Sequence, residues 1–208
     1  MTTKLYPKWK EAVMSGGANS QLNGTVKVAL VDAGVYTYSD THEFYSSVSA
    51  GVVGTPVVLN NKTFTNGTFD ADDSTFTAVV GASIEALVIY IDTGTPSTSR
   101  LVAYIDGTAE VEVAVDASNG ATTIVTEDLP NDIIDNGVMT KVSGSGPASI
   151  TVNGAHTAGA RSLSVDALSG ALTAGARYSY AIAGFGLPVT PNGGNITVAW
   201  DASGIFTL

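Results

Sequence analysis

Runs of β-branched and aromatic residues, each stopped by a cluster of Gly, Asn, Asp, Ser or Pro, constrain this chain more than any other feature. Thr25–Asp32, Pro56–Phe64, Ser74–Val80, Ile84–Asp92 and Arg100–Asp106 are such runs. Side chains branched at Cβ fit a pleated surface and the punctuating residues supply turns, so the pattern predicts strands. The carboxyl-terminal segment, Leu187 to Trp200 and then Gly204 to Leu208, has the same aromatic, Pro-punctuated texture. The expected fold is all-β, an antiparallel, jelly-roll-like sandwich.

Two segments carry a helical period. From Lys4 to Gly16, Leu5, Trp9, Ala12 and Val13 fall on one face, Pro7 lies in the first turn and Gly16-Gly17 ends the pattern. A second, shorter helix is expected from Asp40, where Glu43 would complete a capping box and Phe44, Tyr45 and Val48 would form an apolar side.

After Asp106-Gly107 the texture changes. Aromatic residues vanish until Tyr178, and residues 108–184 carry eight acids against three bases. This stretch holds a near-repeat: Asn119 to Leu129 lines up with Ala158 to Leu168, and, with one residue of slippage, Asn136 to Val142 lines up with Ala174 to Tyr180. Two copies are too few for a solenoid, so they read as two similar β-motifs in one small domain. Three parts are expected: an arm over residues 1–19, a sandwich over 20–107 plus 185–208, and a β-domain over 108–184 inserted into one of its loops.

Composition narrows the function. A net charge of −10 argues against a general grip on nucleic-acid phosphates. The chain has no Cys and only two histidines, His42 and His156, which removes thiolate chemistry and most metal-binding vocabulary. Lys4, Lys8, Lys10 and Glu11 interrupt the first apolar pattern, so no secretory leader is expected there, and no run reaches the ~20 apolar residues of a membrane span.

No catalytic pattern survives inspection. Phe69-Asp-Ala-Asp-Asp-Ser-Thr-Phe76 gathers Asp70, Asp72 and Asp73, weak candidates for holding Ca²⁺, but the run fails the EF-hand template and reads better as an Asx-rich turn. His42 lacks a nucleophile motif nearby, and His156 reads as a loop residue. Asp92 and Asp106 each end a strand before a turn, which is simpler than a glycosidase pair. Tyr36, Tyr38, Phe44, Tyr45, Tyr90, Tyr104 and Trp200 read as half-buried core in preference to a sugar-binding face. No cofactor and no enzymatic activity are expected.

Several ordered motifs resemble a family of small virion structural proteins of tailed bacteriophages. They are Lys4-Leu-Tyr6, Gly24-Thr-Val-Lys-Val-Ala-Leu-Val-Asp32, Tyr36-Thr-Tyr-Ser-Asp-Thr-His42, Phe69 to Phe76, Ala86 to Gly94, Arg100 to Asp106, Gly193-Gly-Asn-Ile-Thr-Val-Ala-Trp200 and the terminal Ala-Ser-Gly-Ile-Phe-Thr-Leu. The resemblance spans residues 4–107 and 185–208 and implies a protein made in the host cytoplasm and carried in the virion. It implies a capsid decoration (cement) protein that binds the major capsid protein or other virion proteins as a homo-oligomer, a trimer being favoured. The alternative is a tail or head-fibre appendage whose inserted domain binds host glycans. For the contact itself the amino-terminal segment stands out, because Leu5, Tyr6, Trp9 and Val13 combine there with Lys8 and Lys10. So short a helix is marginal alone and must dock on something.

Overall fold

The structure is a computed structural model and describes residues 2–133, 135–181, 186–201 and 203–208. It divides into two compact units: residues 3–106 with 187–208, and residues 107–186 together with the first two. The expected end of the insert at 184/185 lies outside the described residues.

In the larger unit the strands are β1 (Thr2–Leu5), β2 (Val26–Val31), β3 (Val52–Val58), β4 (Thr63–Thr65), β5 (Thr68–Asp70), β6 (Ser74–Phe76), β7 (Ala86–Ile91) and β8 (Arg100–Asp106). β9 (Thr108–Glu112), β10 (Thr123–Val125), β11 (Val138–Ser143), β12 (Ser149–Thr151), β13 (Ser162–Ser164) and β14 (Arg177–Ala181) build the smaller one. β15 (Ile196–Val198) and β16 (Phe206–Thr207) return to the larger unit. The fold is all-β, and every strand pair whose register is described is antiparallel.

A five-stranded sheet, ordered β1-β8-β7-β2-β3, is joined by the ladders β15-β6 and β16-β5-β4. This order is sandwich-like but does not reproduce the two interlocked four-stranded sheets of a jelly roll. β7 is buried at every position and β8 at all but Asp106, which is why both read as nearly unbroken apolar runs.

The structure corrects several boundaries. The helix α1 spans Pro7–Ser15 and not Lys4–Gly16, because the residue before a proline is driven out of the α region: Tyr6 has ψ 125° and its N–H joins Val102 O at 3.0 Å. Gly16 closes α1 in the left-handed conformation, φ 68°. The expected helix from Asp40 is absent; two 3₁₀ turns, Tyr45–Ser47 and Ser49–Gly51, stand in its place. Glu43 does not cap a helix, because Arg100 takes its carboxylate at 2.6 Å. The run Pro56–Phe64 is cut in two where Asn61 adopts φ 49°, and β6 stops before Ala78 at φ 49°.

The smaller unit has its own core, including Val111, Ile124, Met139, Ile150, Leu163 and Tyr178. Its two halves are related by a pseudo-twofold axis at a constant offset of 39 residues, for the register pairs Ile124↔Leu163 and Thr140↔Ser179 are each 39 residues apart and map onto themselves. Met139↔Ile150 and Tyr178↔Val111 exchange under the same offset, as do the bridges Ala117↔Leu172 and Ile133↔His156. The slippage expected from sequence therefore disappears. Asn136 occupies the place of Gly175, and both are left-handed, at φ 59° and φ 83°. The sheet order β12-β11-β14-β9 interlocks the halves, since the first strand of each pairs with the last strand of the other.

Entry and exit of this unit lie side by side, because Thr108 pairs with Ala181. Replacing residues 107–186 by a short Gly/Ser linker is thus expected to leave the larger unit folded. A β-type circular dichroism spectrum with cooperative unfolding would agree; an unfolded chain would show that the two units depend on each other.

Candidate partner-binding site

The amino-terminal segment folds onto its own unit and is not a separate arm. Trp9 is 1% exposed, its Nε1–H donates to Ser20 O at 2.9 Å, and its ring meets Phe206 edge-on at 5.8 Å. From Phe206 the aromatic row runs to Phe69 at 5.1 Å and from Phe69 to Phe64 at 5.6 Å, one ring per strand across β16, β5 and β4.

Tyr6 is fully buried, with its hydroxyl 2.7 Å from that of Tyr36, which lies 3.0 Å from His42 Nδ1. Tyr38 packs between Tyr6 and Tyr104 and donates to Asp40 Oδ1 at 2.7 Å. Burial pushes the hydroxyls of Tyr6, Tyr36, Tyr38 and Tyr104 above the usual tyrosine range, with Asp40 adding to the effect at Tyr38 and Asp106 at Tyr104. Folded-state values raised in this way leave stability intact below about pH 10, the unfolded value, and remove it as pH climbs from there toward the folded values. Tyrosinate absorbance is expected to rise together with loss of the fold; tyrosinate appearing near pH 10 in a still-folded chain would contradict the cluster.

Arg100 fastens α1 to the neighbouring loop. It is buried, donates to Glu43 Oε1 at 2.6 Å and to Ala18 O at 3.3 Å, and lies over the Phe44 ring at 5.1 Å. Tyr45 stacks on Tyr90 at 4.2 Å, so these aromatics divide into separate core contacts and form no single sugar-binding face.

Of the six residues expected at the contact, the fold withdraws the two largest, Tyr6 and Trp9, into the core. Leu5 is half-buried in β1, and Lys8 pairs with Glu11 at 2.8 Å. Lys10 is exposed and Val13 is half-buried. Val13 lines a groove of about 270 Å³ with an edge of Trp9, Leu22, Phe64 and Leu208. Phe64 and Leu208 are 55% and 63% exposed and leave the groove open and largely apolar. Sequence reading missed Phe64, although Asn66-Gly67 behind it is a hairpin signal that would have placed it on a short strand.

The three aspartates do not converge. Asp72 accepts Asn61 Nδ2 at 2.6 Å, Asp73 accepts the Trp200 N–H at 3.0 Å, and Asp70 buries one oxygen without a partner. No group of three His, Asp or Glu suited to a metal ion occurs among the described residues. Of the strand-end aspartates, Asp92 accepts the Gly94 N–H at 3.0 Å and pairs with Lys27 at 2.6 Å, while Asp106 lies 3.8 Å from Lys4. His156 accepts the Ser164 N–H at 3.2 Å. No family model, no curated protein and no solved structure matches this chain.

Proposed function

We propose that this chain is a non-enzymatic structural protein of a tailed-phage particle, a decoration protein that sits on the head and stabilises it. The observation that carries the reading is the largely apolar groove beside Trp9, an exposed surface in a chain whose two histidines, and Asp72 and Asp73 of the aspartate run, are engaged in hydrogen bonds within the fold. The resemblance of residues 4–107 and 185–208 to virion proteins supports it. The motifs that carry that resemblance include β2, β5, β6, β7, β8, β15 and β16, so they supply most of the framework of the larger unit.

A decoration protein adds binding energy across the shell and raises the temperature at which the shell opens. Particles lacking the chain, incubated with the purified protein, are expected to retain their genome to a higher temperature. An unchanged release temperature after demonstrated binding would move the assignment to the appendage reading, in which the smaller unit contacts host glycans.

A further inference from the structure

We propose that β4 is a self-association edge, through which two copies of this chain pair antiparallel about a twofold axis at Phe64. The inference does not rest on the virion reading. β4 is the outer strand of the ladder β16-β5-β4, and the two left-handed residues Asn66 (φ 52°) and Gly67 (φ 80°) fix its register to β5. In a hairpin with a two-residue turn, the residues flanking the turn exchange hydrogen bonds, and the next pair does not. Thr65 and Thr63 therefore bond inward to β5, whereas the N–H and C=O of Phe64 point outward from the edge.

Edge strands are commonly guarded by Pro, bulges or charge. β3, at the edge of the large sheet, has both Pro56 and a bulged register with β2. β4 has none of these between Thr63 and Thr65, and the neighbouring Lys62 turns its ammonium back to Gly24 O. Its edge is thus open, and its ring is the exposed end of a row whose other members are buried.

The edge is complementary to itself. Two copies opposed at Phe64 exchange two N–H···O bonds through the same residue, set the two rings side by side and join two three-stranded ladders into six strands. At this exposure Phe64 offers about 100 Å² of apolar surface per copy. That is well short of the ~800 Å² per partner of a stable complex, so the pair forms by mass action at high local concentration. Each copy carries −10, so salt should strengthen the pairing by screening repulsion. An edge used in this way closes with two copies, in place of the trimer favoured from sequence.

Because the chain has no Cys, one introduced thiol reports on one surface. In the twofold pair the Cα atoms at position 64 are about 5.5 Å apart, within disulfide reach. Under mild oxidation F64C is expected to yield a covalent dimer, at least tenfold faster than V80C, whose parent valine is more exposed (67% against 55%) but lies away from β4. Sedimentation of the wild-type chain should show a monomer–dimer equilibrium that tightens with salt, and F64K should weaken it at least tenfold while keeping a cooperative thermal transition. A wild-type chain that stays monomeric into the millimolar range, a trimer, or equal cross-linking of F64C and V80C would overturn the proposal.

Discussion

Trp9→Ala is expected to destabilise the larger unit by about 3–5 kcal/mol, the usual cost of truncating a fully buried aromatic side chain. The indole fills the space between α1 and the aromatic row, and its loss removes the contact with Phe206 and leaves Ser20 O without its 2.9 Å donor. Few atoms can close such a gap, because α1 is held from both ends, by Tyr6 N–H on Val102 O and by Arg100 on Ala18 O. Trp9→Phe keeps most of the apolar volume and loses the hydrogen bond, so it should cost about 1 kcal/mol for that bond plus a smaller packing loss. Denaturant midpoints of both variants measure this, and a Trp9→Ala midpoint within 1 kcal/mol of wild type would contradict the placement of the helix. The same packing changes what a truncation of residues 1–17 reports: it would remove core and unfold the unit, so it is no test of binding.

The second large effect concerns the link between the halves of the smaller unit. A Cβ at Gly144 would lie 2.6 Å from Ala176 Cα and 3.0 Å from its Cβ, backbone contacts that no rotamer relieves. Gly144 also has φ 83°, which by itself costs a non-glycine residue about 1–2 kcal/mol. With overpacking of about 1–3 kcal/mol added, Gly144→Ala should lose about 2–5 kcal/mol and loosen β11 from β14. Gly120 is an internal control: it has the same φ of 83°, but a Cβ there meets nothing within 4 Å, so Gly120→Ala should pay the conformational cost alone. Hydrogen exchange should show Met139, Tyr178 and Val111 amides losing protection in Gly144→Ala while Ile89 and Ile105 keep theirs. Equal effects of the two substitutions would show that the close approach at Ala176 is not formed.

The strands most legible in sequence were those buried on both faces. β7 and β8 read as unbroken apolar runs because neither face meets water, and their limits came within two residues of expectation. Where local and long-range chemistry compete, the reading failed. Asp40 to Glu43 has the form of a capping box, but Arg100, 57 residues away, holds Glu43 more strongly than a helix N-terminus would. The near-repeat was visible from its Gly-Ala turns, yet its register was not, since Asn136 fills a left-handed position that its counterpart fills with Gly175. At the candidate site the sequence pointed to the right segment for a reason that the fold reverses: Trp9 stood out as an exposed anchor and is instead the floor of a groove whose walls come from Phe64 and Leu208. That wall could not be read from local pattern, because β4, β16 and α1 are joined only by the tertiary fold.

Copy number in the particle tests the central claim most directly. Quantitative densitometry of purified virions against the major coat protein should find this chain in hundreds of copies, as a protein repeated over the shell must be. A few dozen copies would identify a tail or fibre appendage, and a chain absent from purified virions would contradict the structural assignment altogether.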